Sequence, residues 1–339
     1  MKKLVYLAVI IIVVSCNTTT NLPAIKPDVI TQPTKYDTDD PAIWINKNNP
    51  EESIVFGTDK NTNGGIYAFD LQGNIIKNKC IFNVQRPNNI DLRYGFKLND
   101  STSVDIIAFT ERERKQIRIF SVPDMKPLDN GGIAVFEDEK NEAYRLPMGI
   151  SLYKSSVDST MYAIVGRKDG PKENYLYQYK LEADATGTIK ADLVRKFGDY
   201  SGKKEIEAIA VDDALGFVYY SDEKDGIKKY YAEPTKGNQR AGYFGTDKFK
   251  RDIEGIAIAS FSNGKGYLIV SDQQEHTFNI FSREGNNKFI KTLNLSTTET
   301  DGCDVVTVPL NKTFAQGLFV AMNNDKTFYY FNIKKLGLN

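Results

Sequence analysis

Histidine and excess charge of either sign are what this sequence lacks most clearly. Its 339 residues contain one histidine, His276, and 44 basic and 44 acidic side chains that cancel to zero net charge. A single histidine argues against a multi-histidine metal centre and against a Ser-His-Asp triad. The missing positive excess argues against a nucleic-acid binder, because such proteins use basic side chains to displace counterions from phosphates.

Intrinsic disorder is excluded by the apolar content of the chain. Hydrophobic residues make up 41% of the sequence and aromatic residues 12%, which is enough to bury a core. Helix-period stretches with capping residues are essentially absent, so the composition and the pattern favour a β protein. The length allows either two ordinary domains or one large β architecture.

The first residues resemble an export signal. Lys2 and Lys3 precede an apolar run of 11 residues, 4–14, which is shorter than the roughly 20 residues that span a bilayer. The run ends in Val-Val-Ser-Cys, which resembles a bacterial lipobox with Cys16 as the lipidated residue. We therefore predict a lipoprotein signal peptide over 1–16 and an exported, membrane-anchored protein. The alternative is an ordinary secretory signal with a chance cysteine.

The segment that follows is rich in Thr, Asn and Pro. Residues 17–35 are therefore predicted to be a flexible tether, and residues 36–339 a single folded domain. Two cysteines lie in that domain, Cys80 and Cys303. They are either a disulfide pair of an exported protein or two buried thiols.

A hairpin pattern recurs six times along the domain. An apolar strand, a short polar turn and an aromatic-rich strand begin near residues 53, 104, 161, 217, 266 and 317. A period near 50 residues with a hairpin in every unit is typical of a propeller, since one blade alone cannot cover its apolar faces. We predict an all-β, six-bladed β-propeller. A β-sandwich is the alternative, but it does not explain six regular units.

One further strand precedes each hairpin and carries acidic or amide residues at its start. If these strands are the innermost of each blade, their starts meet beside the central channel. The residues expected to converge there are Asp39, Asp40, Asn89, Asp91, Glu207, Asp252, Glu254, Asp301 and Asp304. Crowded carboxylates repel one another and lose solvation, so bound cations are needed to keep them ionised. The alternative is that the acids cap turns or are solvated on a rim.

Carboxylates, amides and carbonyls favour hard cations. The near absence of histidine, and of cysteine among these positions, argues against zinc, copper and iron, and flexible oxygen-rich loops favour Ca²⁺ over Mg²⁺. Lys60, Arg112 and Lys168 occupy matching turns of three consecutive blades, each just after an apolar strand. Several calcium ions together with these cations suit a polyanionic substrate such as a phosphate ester.

Two motifs give this chain a family resemblance. DTDDPAIW (37–44) and NNIDLRYGF (88–96) resemble the paired signature of the β-propeller phytases, calcium-dependent hydrolases of inositol hexakisphosphate. The similarity extends over about residues 36–333. It implies a monomeric phosphoric monoester hydrolase in which calcium activates a water that attacks phosphorus in line, with no covalent intermediate.

The resemblance also implies roles for individual residues. Lys60, Arg112 and Lys168 correspond to phosphate-binding residues, and Glu207, Glu254, Asp301 and Lys60 to the catalytic set. The residues at or beside calcium ligands are Asp39, Asp40, Asp169, Glu207, Glu223, Asp252, Glu254, Asp301, Asp304 and Asn324. The chain departs from the family at Met148, where members have a tyrosine, and at Asp169, where they have a glutamate.

Two other functions are compatible with the sequence. One is a calcium-stabilised propeller at the cell surface that binds an anionic ligand without turning it over. The other is a propeller lactonase with one calcium ion in its channel. Lys60 and Arg112 favour the hydrolase, because a purely structural calcium site does not need cations facing it.

Overall fold

The protein is a six-bladed β-propeller, as predicted. The computed structural model describes residues 22–261 and 265–338, and within these ranges the strands form six antiparallel sheets of four. The predicted signal peptide and Cys16 lie outside the described residues. No helix in the described ranges is long and apolar enough to cross a membrane.

The strands are numbered along the chain. Strand β1 (Val29–Ile30) comes first, and the blades follow in sequence order from the channel outwards. Blade 1 consists of β2 (Thr38–Trp44), β3 (Ile54–Asp59), β4 (Gly64–Phe69) and β5 (Ile81–Val84). Blade 2 consists of β6 (Pro87–Lys97), β7 (Ser103–Glu111), β8 (Gln116–Val122) and β9 (Ile133–Ala134). Blade 3 consists of β10 (Pro147–Lys154), β11 (Met161–Arg167), β12 (Glu173–Ala183) and β13 (Ile189–Asp199).

Blades 4 and 5 follow the same plan, and blade 6 takes its outermost strand from the start of the chain. Blade 4 consists of β14 (Ile209–Asp212), β15 (Phe217–Asp222), β16 (Gly226–Tyr231) and β17 (Arg240–Phe244). Blade 5 consists of β18 (Ile256–Ser260), β19 (Gly266–Asp272), β20 (Thr277–Ser282) and β21 (Phe289–Leu293). Blade 6 consists of β22 (Cys303–Val306), β23 (Leu318–Asn323), β24 (Thr327–Asn332) and β1. Short 3-10 helices occupy Pro50–Glu52, Lys77–Lys79, Arg112–Arg114, Glu142–Arg145, Pro234–Lys236, Gln273–Glu275 and Ile333–Leu336.

The strands are apolar on both faces because each blade is covered by two neighbours. Strand β3 (IVFGTD) and strand β11 (MYAIVGR) are buried along their whole length. Their sequences therefore lack the alternation of apolar and polar residues that a strand with one solvent-facing side shows. Six apolar clusters fill the six spaces between adjacent blades. The inner strands β2, β6, β10, β14, β18 and β22 contact one another around a closed ring.

The prediction of a flexible tether is wrong for the described part of residues 17–35. Strand β1 pairs with β24, with Val29 opposite Tyr330 and Ile30 opposite Tyr329. The backbone N–H of Thr31 donates to the carbonyl of Phe328 at 3.0 Å, and that of Thr34 to Lys326 at 2.9 Å. The propeller domain therefore begins before residue 36, because blade 6 needs a fourth strand to cover its outer edge.

The two domain cysteines do not form a disulfide. Both are free thiols: Cys303 is buried in β22 of blade 6, and Cys80 is half-buried just before β5 of blade 1. Burial in apolar surroundings raises the pKa of both thiols, so they stay protonated and pack as small hydrophobic groups. Of the two possibilities left open by the sequence, buried or partly buried thiols are the correct one.

Removal of β1 tests the closure of the ring. We expect a variant that begins at residue 36 to unfold about 8 °C or more below one that begins at residue 22. The reason is that it loses several backbone hydrogen bonds worth about 1 kcal/mol each. Thermal unfolding followed by circular dichroism measures the difference. Equal unfolding temperatures would show that β1 does not stabilise blade 6.

Candidate active site

One end of the channel is built from positions that repeat in every blade. The first residue after the second strand, here called the turn position, is Lys60, Arg112, Lys168, Glu223, Gln273 and Asn324 in blades 1 to 6. The backbone N–H of each turn position donates, at 2.6–3.1 Å, to the carbonyl of a residue just before the inner strand of the same blade. That residue, here called the leading position, is Asp37, Arg86, Leu146, Glu205, Asp252 and Thr298 in blades 1 to 6. Six matching hydrogen bonds bring both sets to the same end of the propeller.

A third repeated position lies two residues after the leading position, or three in blade 6. This channel position is Asp39, Asn88, Met148, Glu207, Glu254 and Asp301. Lys60 Nζ lies 2.8 Å from Asp39 Oδ1 and 3.2 Å from Asp301 Oδ2, and the amide of Asn88 lies 3.3 Å from both Asp39 and Glu207. The channel positions of four blades therefore form one hydrogen-bonded network.

Glycine follows the channel position in three blades and allows the inner strands to approach closely. A Cβ on Gly149 would lie 2.1 Å from the carbonyl oxygen of Glu207, and one on Gly302 would lie 2.0 Å from Asp40 Oδ1. A Cβ on Gly255 would lie 2.5 Å from the carbonyl oxygen of Asp301. A larger residue would push neighbouring strands apart, so these glycines let the side chains of different blades converge.

Two triads of buried carboxylates lie on the blade 4 and blade 5 side of the channel mouth. The first consists of Glu205, Glu207 and Glu223, and the second of Glu223, Asp252 and Glu254. In each triad one oxygen from every member lies within 4.8 Å of the others. Glu223 Oε1, Glu254 Oε2 and Asp252 Oδ1 are buried and accept no hydrogen bond in the described part of the chain. Free carboxylate oxygens turned towards a common space could hold a metal ion.

The pKa values of the triad carboxyls show that the triads lack compensating positive charge. Burial, followed by repulsion from neighbouring acids, raises the pKa of Glu254 well above its ordinary value. Burial likewise raises the pKa of Glu207, and it raises that of Glu223 to about 8. The pKa of Asp252 is lowered instead, because hydrogen bonds from Lys204 and Gln274 outweigh the effect of its burial. Without a further cation, part of this group is therefore protonated at neutral pH.

Basic side chains from blades 1 to 3 face the triads. They are Lys60, Arg112 and Lys168 at the turn position, and Arg86 at the leading position of blade 2. Lys168 forms an ion pair with Glu205. Arg112 is 7% exposed, and its Nε and Nη2 atoms have no hydrogen-bond partner among the described residues. Burial lowers the pKa of this guanidinium, and the nearby charges of Glu207, Asp39 and Glu205 offset this effect only in part.

These groups line a polar cavity of about 230 Å³ at the mouth of the channel. Lys60, Arg86, Arg112 and Lys168 form one wall, and Glu205, Glu207, Asp252, Glu254 and Asp301 form the other. Lys60 connects the two walls. Burial lowers its pKa, but the charges of Asp39, Glu207 and Asp301 outweigh this and raise it well above its ordinary value. The cavity can hold a metal ion against the acids and an anion against the cations.

Three acids expected at this site, Asp40, Asp91 and Asp304, bond the backbone of neighbouring blades instead. Asp40 Oδ2 accepts the backbone N–H of Ile90 in blade 2 at 3.0 Å, and Asp304 Oδ2 accepts that of Ile43 in blade 1 at 2.8 Å. Asp91 bonds Leu152 of blade 3 in the same way, at 2.7 Å. These carboxylates join neighbouring inner strands and line a second cavity, of about 440 Å³, within the channel.

Two other predicted ligands lie apart from the triads. Asp169 is exposed, and its Oδ1 accepts the N–H of Gly170 in its own loop at 2.8 Å. Asn324 is exposed at the turn position of blade 6. Asn89 is buried beside Asn88, and its side-chain oxygen has no hydrogen-bond partner among the described residues. The structure thus brings together Asp39, Lys60, Arg112, Lys168, Glu207, Glu223, Asp252, Glu254 and Asp301.

Several residues of the cavity were not predicted from the sequence. Glu205 completes the first triad, Arg86 adds a cation, and Lys204 and the amides of Gln273 and Gln274 contact the acids. All except Lys204 occupy, or directly follow, a turn or leading position. Aligning the six repeats by these positions would have found Arg86, Glu205 and Gln273.

The fold and the cavity together define a β-propeller enzyme with a site of paired acidic and basic walls at one end of its channel. Comparison with known proteins specifies it further. The model of the phytase family matches residues 3–330. The 3-phytase of Bacillus subtilis (strain 168) is 31% identical over 305 residues, which cover 85% of this chain and 74% of the relative. The chain therefore belongs to the phytase family.

The raised pKa of Glu223 predicts how the metal-free protein responds to pH. A carboxyl whose pKa is higher in the folded state stabilises the fold below its unfolded value of 4.5, and this contribution is lost as the pH rises through about 8. In EDTA we expect the unfolding temperature to fall between pH 5 and pH 8, and to fall several degrees less in Glu223→Gln.

Thermal unfolding across this pH range measures the effect, with Glu51→Gln as the matched control, since Glu51 is exposed on a 3-10 helix of blade 1. A Glu223→Gln profile parallel to that of the unsubstituted protein would contradict the assignment of the proton to this site.

Proposed function

We propose that this protein is a calcium-dependent phytase, a phosphoric monoester hydrolase that releases phosphate from myo-inositol hexakisphosphate. One observation carries the proposal: a single cavity is lined by four basic side chains of blades 1 to 3 and by two acids of each carboxylate triad, Glu205 and Glu207 of the first and Asp252 and Glu254 of the second. A phosphate ester bound to a divalent cation needs both walls. Membership of the phytase family and the similarity to a 3-phytase support the substrate class.

The donor set of the triads fits calcium. Its members, Glu205, Glu207, Glu223, Asp252 and Glu254, all offer carboxylate oxygens, which Ca²⁺ prefers and softer metals do not. The buried oxygens of Glu223 and Glu254 that accept no hydrogen bond in the described structure are available as ligands. Calcium, when bound, would neutralise the phosphate and lower the pKa of a nearby water.

The side chains of the basic wall bind and orient the anion. Arg112 and Arg86 each offer a planar fork of N–H donors, and in the described structure neither guanidinium has an acidic partner to satisfy it. Lys60 is held between Asp39 and Asp301, so its ammonium has a fixed position at the boundary of the two walls. A phosphate in the cavity would thereby contact fixed donors, which reduces the entropy lost on binding.

Met148 modifies this wall. It occupies the channel position of blade 3, between Asn88 and Glu207 in blade order, and lines the cavity with a thioether instead of a hydroxyl. Its backbone is fixed, since the carbonyl accepts the hydroxyl of Thr110 at 2.8 Å. We infer that the phosphate makes one contact fewer at this point, and that the arginines and Lys168 supply a larger share of the binding energy.

Calcium dependence is the first test of the proposal. We expect phosphate release from inositol hexakisphosphate with added calcium and none in excess EGTA. Glu254→Gln should lower kcat about 100-fold or more, because it removes a charge and a ligand oxygen from the second triad. The measurement is colorimetric phosphate release, with circular dichroism to verify the fold.

Glu51→Gln is the control for this variant and should retain full activity. Full activity of the unsubstituted protein in EGTA would refute the calcium mechanism. Binding of inositol phosphates by calorimetry without phosphate release would instead identify a binding propeller.

Substitution of the basic wall should affect substrate binding more than turnover. Arg112→Ala is expected to raise KM about tenfold or more, because a charge-assisted hydrogen bond contributes about 1.5–3 kcal/mol. Arg114→Ala is the matched control, since Arg114 lies in the same 3-10 helix but is exposed. An unchanged KM in Arg112→Ala would show that the anion does not bind at this wall.

We also propose that the protein is exported and anchored through a lipid on Cys16. The support is the sequence pattern of residues 1–16 alone. Metabolic labelling with a fatty acid, compared between the natural chain and Cys16→Ser, would test it.

A further inference from the structure

Lys204 occupies the space between the two carboxylate triads. Its Nζ lies 2.6 Å from Glu223 Oε2, 2.8 Å from Asp252 Oδ2 and 3.5 Å from Glu254 Oε1, so it contacts every member of the second triad. It also lies 3.8 Å from Glu205 of the first triad. The ammonium therefore serves as the counter-ion of four acids in this structure.

A divalent cation at the second triad would need the same space. Calcium binds carboxylate oxygens at 2.3–2.6 Å. The ammonium contacts one oxygen of each of the three residues, so a calcium ion held by their other oxygens would lie close to it, and the two positive charges would repel each other. Metal binding at this triad therefore competes with the ion pairs of Lys204 for the same three carboxylates.

The segment that carries Lys204 is held in place without its side chain. The N–H and hydroxyl of Ser201 both donate to Asp222 at 2.6 Å, and the N–H of Glu223 donates to the carbonyl of Glu205 at 3.0 Å. The hydroxyl of Tyr200 donates to the carbonyl of Lys204 itself. The ammonium can therefore leave the acids while the backbone around it keeps its position.

We propose that Lys204 is a built-in competitor of calcium, whose ammonium must be displaced before a divalent ion binds the second triad. This inference rests on the proposed function, since it concerns the regulation of the same calcium site. Lys204 stabilises the metal-free state only. It therefore raises the calcium concentration that the enzyme requires, while it keeps the empty acid cluster from destabilising the fold.

The test compares two adjacent lysines. Lys204→Met removes the ammonium and keeps an apolar stem, whereas Lys203→Met is the matched control, since Lys203 is 54% exposed and pairs with Asp225 outside the triads. Calcium is titrated into EDTA-stripped protein and followed by calorimetry. We expect the calcium dissociation constant to fall at least tenfold in Lys204→Met, about 1.4 kcal/mol, and to stay within twofold in Lys203→Met.

The unfolding temperature with and without calcium is a second measurement, and it shows which state Lys204 stabilises. Because Lys204 acts only on the metal-free state, Lys204→Met should unfold at a lower temperature in EDTA and at an unchanged temperature in saturating calcium. Lys204→Gln, which keeps two donors for the acids, gives the same comparison if Lys204→Met does not fold without metal. A merely structural lysine would lower both unfolding temperatures and would not tighten calcium binding.

The outcomes separate this inference from the proposed function. Calcium affinity that is unchanged or weaker in both Lys204 variants overturns the inference and leaves the calcium enzyme intact. Absence of calcium binding to the unsubstituted protein overturns both. Tighter binding in Lys204→Met, in a protein that releases no phosphate from inositol hexakisphosphate, supports the inference and overturns the proposed hydrolase.

Discussion

Every blade of this protein has two apolar faces, and only a closed ring can cover all of them. An open row of blades would leave the outer faces of the first and last blade in water, at a cost of about 25 cal/mol for each Å² of apolar surface. Closure therefore determines much of the remaining architecture. It brings six inner strands together around one channel, and it recruits β1 to complete blade 6.

The closed ring also creates the functional site, because it gathers side chains that are distant in sequence. Lys60 of blade 1 contacts Asp301 of blade 6, and Asn88 of blade 2 contacts Glu207 of blade 4. The repeat supplies the geometry, and differences between repeats supply the chemistry. The turn position is basic in blades 1 to 3, acidic in blade 4 and an amide in blades 5 and 6. A pseudosymmetric scaffold thus acquires one basic wall and one acidic wall.

The sequence was sufficient to predict the number of blades and the inner strand of each blade, because strand patterns recur with a nearly constant period. It also predicted the basic turn residues, since Lys60, Arg112 and Lys168 follow equivalent strands. It did not reveal that adjacent acids serve different purposes. Asp39 contacts Lys60, whereas Asp40 bonds the backbone of Ile90 in the next blade. That difference depends on which side of the inner strand each carboxylate faces, and a bulge in β2 alters the simple alternation there.

Other features escaped prediction because their signal is short or depends on neighbours. Strand β1 has two residues within a Pro- and Thr-rich segment, and only the unpaired edge of β24 makes it a strand. Lys204 could not be recognised as a counter-ion from a charged stretch of sequence, since its partners come from blades 4 and 5 and their approach is a tertiary effect.

The pairing of β1 with β24 has a consequence for the order in which the molecule is assembled. Val29 finds its partner Tyr330 only when almost the whole chain is available, so the last sheet to be completed is the one that contains the first strand. Contacts between such distant residues carry a large loop-closure entropy and form slowly. Until β1 and β24 are both available the ring cannot close, and any blades that have already folded form an open arc with an uncovered apolar edge.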